Sequence, residues 1–98
     1  MPKSHFIKVA DIDIHYQEWS TSGHPVILLH GLASTSHIWN LTAPLISNDF
    51  HVIAIDQRGH GESTKTASGY DFNTIINDLN EFGLKPLFES NLELVDLK

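Results

Sequence analysis

Cysteine is absent from the 98-residue sequence. This absence excludes a disulfide framework and any zinc or iron–sulfur site built on thiolates. Basic residues are also few, because six lysines and arginines stand against twelve acidic residues, for a formal net charge of −6. A surface of that sign disfavours nucleic acid and anionic membranes as partners, since both attract basic proteins.

Long apolar runs are missing as well. The longest one, Val26 to Leu29, is far shorter than the roughly 20 residues of a membrane-spanning helix. The first residues, Met-Pro-Lys-Ser-His, contain no apolar stretch of signal-peptide length. We therefore expect a cytoplasmic protein with no membrane partner.

The remaining composition is that of a folded domain. Hydrophobic residues make up 41% of the chain and charged residues 18%, which argues against a disordered segment. A domain usually takes about 100–200 residues. We expect residues 1–98 to form one small domain or a piece of one, with a modest core.

Two kinds of strand are predicted in the first half of the chain. Alternation of apolar and polar residues predicts an antiparallel hairpin, with strands near residues 5–10 and 12–19. Unbroken apolar runs at residues 26–30 and 51–56 are typical of parallel strands buried on both faces. The fold class is therefore α/β, with the hairpin leading into a short, mainly parallel sheet.

Two helices are predicted to flank this sheet. The first carries Ile38, Leu41 and Leu45 at helical spacing, although Pro44 favours a kink or a split within it. The second follows a polar loop at residues 57–69 and is capped by Asp71. Its apolar residues recur at helical spacing: Phe72, Ile75, Ile76, Leu79 and Phe82. In the tail, Leu87-Phe88 could open a strand, and residues 92–97 fit a strand or a short helix.

The first candidate site is His30-Gly31-Leu32, directly after a buried strand. Ligands in open α/β sheets bind outside the carboxyl ends of the strands. A glycine there allows a sharp turn, so that the next backbone N–H, that of Leu32, can point at a developing oxyanion. The alternative is that His30 and Gly31 only end the strand.

The second candidate follows the other buried strand and reads Asp-Gln-Arg-Gly-His-Gly-Glu-Ser from Asp56. Asp56 can accept hydrogen bonds from N–H groups of the turn, and Arg58 can anchor the loop through carbonyls or carboxylates. Gly59 and Gly61, on either side of His60, permit positive φ. These residues favour a rigid structural loop beside a cleft over a direct chemical role for their side chains.

Together the motifs resemble one family. A hairpin, an apolar strand with His-Gly, a tryptophan-containing helix, an apolar strand with Asp-x-Arg-Gly-His-Gly-x-Ser and a helix opened by Tyr-Asp follow in order. This resembles the N-terminal part of the α/β-hydrolase family over about residues 6–82, and residues 83–98 diverge from it. The fold that the resemblance implies is an incomplete α/β-hydrolase fold.

The resemblance also implies an activity. It implies that His30 and Gly31 shape an oxyanion loop with the Leu32 N–H as one donor, and that the loop from Asp56 shapes the pocket. It implies an esterase-like hydrolase acting on a small-molecule ester-like substrate, with no metal or organic cofactor.

No residue of this sequence is identified as a catalytic residue of the family. The family's nucleophile lies in Gly-x-Nuc-x-Gly, and none of the nine serines has a glycine two residues away on both sides. No glycine surrounds Ser90, and none of the seven histidines matches the catalytic one. We therefore expect the chain to be inactive alone, as a truncated, frameshifted or split hydrolase that diverges near Gly83.

Two other functions compete with this hypothesis. If the tail leaves the edge of the 26–30 strand open, that edge could pair with another chain or with itself, which would make the chain an interaction module. The seven histidines suggest metal binding, but their spacings do not repeat as helical i, i+4 pairs and no cysteine accompanies them. We expect no metal.

Overall fold

A computed structural model describes residues 2–31 and 33–83 of the chain and, for the backbone alone, residues 93–96. Its strands form one sheet with the order β1-β2-β4-β3-β5. In chain order the elements are β1 (Lys3–Val9), β2 (Ile12–Glu18), β3 (His24–Leu29), a 3₁₀ helix (Ser36–Trp39), α1 (Ala43–Ile46), β4 (Phe50–Ile55), α2 (Phe72–Gly83) and β5 (Glu93–Asp96).

The sheet has the mixed topology that the sequence predicts. β1 and β2 form an antiparallel hairpin, and β2 also pairs antiparallel with β4. β3 pairs parallel with β4, so that the loops after these two strands leave the same edge of the sheet. The predicted α/β class is therefore confirmed, and so is the hairpin that leads into a parallel pair.

The chain's tail forms part of this sheet. Glu93–Asp96 pairs parallel with residues 26–29 of β3, which settles the choice between strand and helix for this segment. β5 thus covers the edge of β3, which would be open if the tail did not pair with it. Self-association through a strand edge stays a prediction, with β5 in place of β3 as the outer strand. The Leu87-Phe88 pair lies outside the described residues.

The helix predicted around residues 38–46 is interrupted, as Pro44 in its sequence indicates. It is split into a 3₁₀ helix and α1, and Pro44 lies in the first turn of α1. Proline is favoured there because its missing N–H has no helical partner at that position. Ile38, Leu41 and Leu45 are exposed, and Trp39 instead packs against the sheet. Two short helices replace one, so the apolar residues do not line up on one buried face.

The second helix agrees with its prediction. Asp71 caps it, since its Oδ2 accepts a hydrogen bond from the Thr74 N–H at 3.0 Å. α2 covers one face of the sheet, where Phe82 is 1% exposed and meets the Tyr16 ring edge-on at 5.3 Å. The apolar core on this face comprises Val9, Ile12, Ile14, Tyr16, Ile27, Leu29, Ile53, Ile55 and Phe82.

The opposite face of the sheet has a smaller core beneath the two short helices. It comprises Val26, Leu28, Trp39, Ala43, Val52 and Ala54. Within the described part of the chain, no helix has both the length and the apolar character needed to cross a bilayer.

Phe82 and Phe72 of α2 provide a matched test of this packing. Phe72 is 79% exposed, whereas Phe82 is almost completely buried. Phe82→Ala should lower the free energy of unfolding in urea by about 3–5 kcal/mol, because it leaves a cavity against Tyr16. Phe72→Ala should change it by no more than about 0.5 kcal/mol. Equal losses for the two variants would contradict this position of α2.

Candidate active site

The loops after β3 and β4 meet at the carboxyl edge of the sheet. His30 Nε2 accepts a hydrogen bond from the Gln57 N–H at 3.0 Å, and the Gln57 side-chain amide donates to the His30 carbonyl at 2.8 Å. Because Nε2 accepts from a backbone N–H, the ring proton is assigned to Nδ1, which donates to the Gly31 carbonyl at 2.8 Å. The first loop is therefore fixed through His30.

A second histidine makes the reciprocal contact. His60 Nε2 accepts a hydrogen bond from the Ala33 N–H at 3.2 Å, and its Nδ1–H donates to the Arg58 carbonyl at 3.0 Å. The His30 and His60 rings lie 4.7 Å apart between centroids. Each loop thus contributes one imidazole that accepts a backbone N–H of the other loop.

These contacts favour the neutral form of His30. Burial lowers the pKa of His30 and is the largest influence; the Gly31 carbonyl raises it, His60 lowers it and Asp56 raises it. The net shift is downward from the usual value. A protonated ring would carry a hydrogen on Nε2 and lose the bond from the Gln57 N–H.

Asp56 lies at the centre of the second loop and is completely buried. Its Oδ1 accepts the Ser36 N–H at 2.7 Å, and its Oδ2 accepts the Glu62 N–H at 3.0 Å. His15 on β2 donates from Nδ1 to Oδ2 at 2.7 Å. The carboxylate therefore joins three segments of the chain, and it accepts N–H groups of the turn as its sequence position predicts.

The charge state of Asp56 follows from these donors. Burial raises its pKa and is the largest single influence, because a charged carboxylate loses its hydration. The N–H groups of Glu62 and Ser36 and the side chain of His15 outweigh it together, so the pKa of Asp56 lies below the usual value. Asp56 is a carboxylate at neutral pH.

Two glycines of this loop are required by its conformation. Gly61 has φ +53°, and a Cβ at that position would overlap the Asp56 carboxylate. Gly59 has φ +78°, and a Cβ there would overlap the Tyr70 ring. By contrast, a Cβ at Gly31 would meet nothing within 4 Å.

Arg58 anchors the loop through carboxylates. Its Nε and Nη2 donate to the two carboxylate oxygens of Asp78 on α2, each at 2.9 Å. Nη2 also donates to Asp11 in the hairpin turn at 3.3 Å. Hydrogen bonding to Asp78 raises the pKa of Arg58 further above its usual value, so the guanidinium stays charged. The loop is thereby tied to both α2 and the hairpin.

The structure brings most of the predicted site residues to one edge of the sheet. His30, Gly31 and His60 are there, next to the Asp56 carboxylate. Arg58 points instead toward α2. Leu32, whose N–H is the predicted oxyanion donor, lies outside the described residues, so its role stays a prediction.

Two site residues were missed by sequence reasoning. His15 lies among the polar positions of an alternating strand, and no local pattern distinguishes it from its neighbours. Its partner Asp56 is 41 positions away in the chain. Gln57 stood inside the motif, but its amide contact to the His30 carbonyl depends on the parallel pairing of β3 and β4.

One group of side chains in the described part of the chain has the donor types of a metal site. Ligand atoms of His15, Asp56 and Glu62 lie within 4.8 Å of one another. Both Asp56 oxygens already accept hydrogen bonds from N–H groups. Asp56 and His15 are therefore held in place by hydrogen bonds within the protein.

The lowered pKa of His30 predicts a loss of stability in weak acid. Because the unfolded chain binds this proton more readily, the contribution of neutral His30 is present above the unfolded pKa of about 6.5 and is lost below it. The free energy of unfolding should therefore fall as the pH is lowered from about 7.5 to about 5.5.

Urea titrations at several pH values check this prediction. His30→Asn offers a neutral acceptor for the Gln57 N–H and should flatten the pH dependence. His37→Gln, at an exposed histidine, should leave it unchanged. An unaltered slope in His30→Asn would show that another group causes the acid sensitivity.

Comparisons with known proteins agree with this architecture. The family model for the alpha/beta hydrolase fold matches residues 24–90. The chain is 37% identical over 71 residues to the non-heme chloroperoxidase CPO-A1 of Kitasatospora aureofaciens, covering 71% of this chain and 26% of that protein. It is 40% identical over 60 residues to a soluble epoxide hydrolase of Corynebacterium sp., covering 61% of this chain and 21% of that protein.

A solved structure gives the same result. The haloalkane dehalogenase DbeA-M1 loop variant from Bradyrhizobium elkanii superimposes with a TM-score of 0.89 at 28% identity, covering 98% of this chain and 32% of that one. The chain spans about a quarter of the length of the curated relatives it matches. It belongs to the α/β-hydrolase fold family and corresponds to the N-terminal portion of that fold.

Proposed function

We propose that this chain forms the oxyanion-loop side of an active site in which a small-molecule ester transfers its acyl group to water. The observation that supports this most is the mutual bracing of the loops after β3 and β4. Three hydrogen bonds join them, two at His30 and one at His60. They lie at the sheet edge where ligands of open α/β sheets bind.

In this proposal, the hydrogen bonds between the two loops position an oxyanion donor. Gly31 and Ala33 flank Leu32, and both take part in hydrogen bonds of the braced loops. Preorganised backbone N–H groups stabilise a developing oxyanion without reorganisation during the reaction. The Leu32 N–H is the proposed donor.

The ester is proposed on chemical grounds, because the relatives are named for different reactions. They include a chloroperoxidase, an epoxide hydrolase and a fluoroacetate dehalogenase. An oxyanion donor stabilises the tetrahedral intermediate of acyl transfer most directly. The nucleophile elbow of the family is not found in this sequence, so we propose that the chain alone does not turn over an unactivated ester.

A chimera tests the proposal. Residues 1–83 of this chain replace the matching segment of the Kitasatospora chloroperoxidase, which supplies the rest of the fold. Hydrolysis of ethyl butyrate is followed by titration of the released acid. The isolated chain should give the buffer rate, and the chimera should give turnover.

A matched pair of variants in the chimera isolates the proposed donor. Leu32→Pro removes the backbone N–H and should lower kcat by about 10²–10³-fold. Leu32→Ala keeps the N–H and should retain most of the activity. Equal effects of the two variants would contradict the role of the N–H, and turnover by the isolated chain would contradict its proposed inactivity.

A further inference from the structure

Three side chains on the side of the sheet opposite α2 form a connected row to which the proposed function gives no chemical role. Ser4 on β1 lies with its Oγ 2.5 Å from His15 Nε2. On the other side of the same ring, His15 Nδ1 lies 2.7 Å from Asp56 Oδ2. A hydroxyl, an imidazole and a carboxylate in this order have the connectivity of an activated serine.

The direction of the hydrogen bonds along the row is set by Asp56, its buried end. Asp56 accepts backbone N–H groups from Ser36 and Glu62, which holds it as a carboxylate. A carboxylate only accepts hydrogen bonds, so Nδ1 of His15 carries the proton. In the neutral ring, Nε2 then presents its lone pair to the Ser4 hydroxyl, which is the arrangement that a general base needs.

Burial differs sharply along the row. His15 is 1% exposed and Asp56 is 0% exposed, whereas Ser4 lies on the exposed side of β1. The base and its carboxylate are therefore shielded from water, while the hydroxyl can meet a reagent from solution.

The base is also held rigidly. The His15 N–H donates to Ser63 Oγ at 2.8 Å, and the His15 carbonyl accepts the Asp56 N–H at 2.9 Å. Ser63 Oγ in turn donates to the Asp56 carbonyl at 2.5 Å. With its backbone and its ring both fixed, His15 keeps Nε2 directed toward Ser4, which is the preorganisation that base catalysis requires.

We propose that Ser4 is a nucleophile with His15 as its general base, and that it is acylated by neutral activated esters. The Ser4 hydroxyl proton passes to His15 Nε2 while Oγ bonds to the ester carbonyl carbon. The carbon–oxygen bond to the leaving group then breaks, and His15 releases the proton to solvent or to the leaving group. The products are an acyl-serine and a free alcohol or phenol.

The surroundings of Ser4 define the reagent. Phe6, two residues along the same strand face, is 59% exposed and its ring lies 5.1 Å from the His15 ring. It offers an apolar contact for an aromatic leaving group. Glu62 Oε2 lies 3.6 Å from His15 Nε2, so an anionic reagent is repelled there.

The reaction is limited to esters with good leaving groups. The proposal gives Ser4 a nucleophile's role and His15 a base's role but includes no oxyanion donor, which normally adds a further factor of about 10²–10³. We therefore expect acylation by phenyl esters with electron-withdrawing groups rather than cleavage of alkyl esters or amides. This reaction is independent of the proposed function, since it uses neither the Leu32 N–H nor an added nucleophile.

Site-resolved acetylation of the full chain tests the proposal. The chain is treated briefly with 4-nitrophenyl acetate, and tandem mass spectrometry measures the rates at Ser4 and at Ser22, an exposed serine in a loop. Ser4 should react at least about 100-fold faster than Ser22, the lower range for general-base catalysis. In concentrated urea, where the row is broken, the two rates should become equal.

Variants locate the cause of the difference. Ser4→Ala should remove the fast acetylation without changing the rate at Ser22. His15→Gln should reduce the Ser4 rate to that of Ser22. Equal rates in the native wild-type chain, or a Ser4 preference that survives urea, would overturn the proposal whether or not the His15 variant folds.

Discussion

The Asp56 carboxylate is the interaction on which the arrangement of the site depends. The carboxylate is buried, and its described hydrogen-bond partners include no lysine or arginine. N–H groups from β2, the 3₁₀ helix and its own loop stabilise its negative charge instead. A buried carboxylate that lacks hydrogen bonds strongly destabilises the folded state. Loss of any one of these donors would therefore lower the free energy of unfolding. One side chain thereby sets the relative positions of three segments that are distant in the chain.

The loops at the carboxyl edge are built on this centre. The bond from Ser36 fixes where the chain returns after β3, and the bond from Glu62 folds back the loop after β4. His30 and His60 then connect the two loops reciprocally, because Nε2 of each ring accepts a backbone N–H of the other loop. Gly61 has no side chain because the carboxylate occupies that space. The same carboxylate orients His15 on the side of the sheet opposite α2. The proposed oxyanion loop and the proposed Ser4 nucleophile therefore depend on the same buried group.

The strands and α2 could be predicted because their signals are local. Alternation, an unbroken apolar run and helical spacing each need only a few neighbouring residues. Pro44 indicated the split of the helix around residues 38–46, but apolar spacing does not show where the two short helices begin and end. The loop motif from Asp56 indicated a turn whose N–H groups bind the carboxylate, but the bond from His15 depends on a contact across 41 positions, which no local pattern contains. Covering of the β3 edge by β5 likewise depends on long-range pairing.

Native-state hydrogen exchange in Asp56→Asn tests most directly whether this carboxylate organises the site. Asparagine is close in size to aspartate but carries no charge. Its side-chain NH₂ is a hydrogen-bond donor, as is the His15 Nδ1–H, so the two groups cannot form the bond that the carboxylate makes. The account predicts that the Ser36 and Glu62 amides exchange faster in the variant by about 10-fold or more, as expected for the loss of hydrogen bonds to a charged group. The Ile53 amide in the centre of the sheet should keep its relative protection. Unchanged protection at Ser36 and Glu62 would contradict the account.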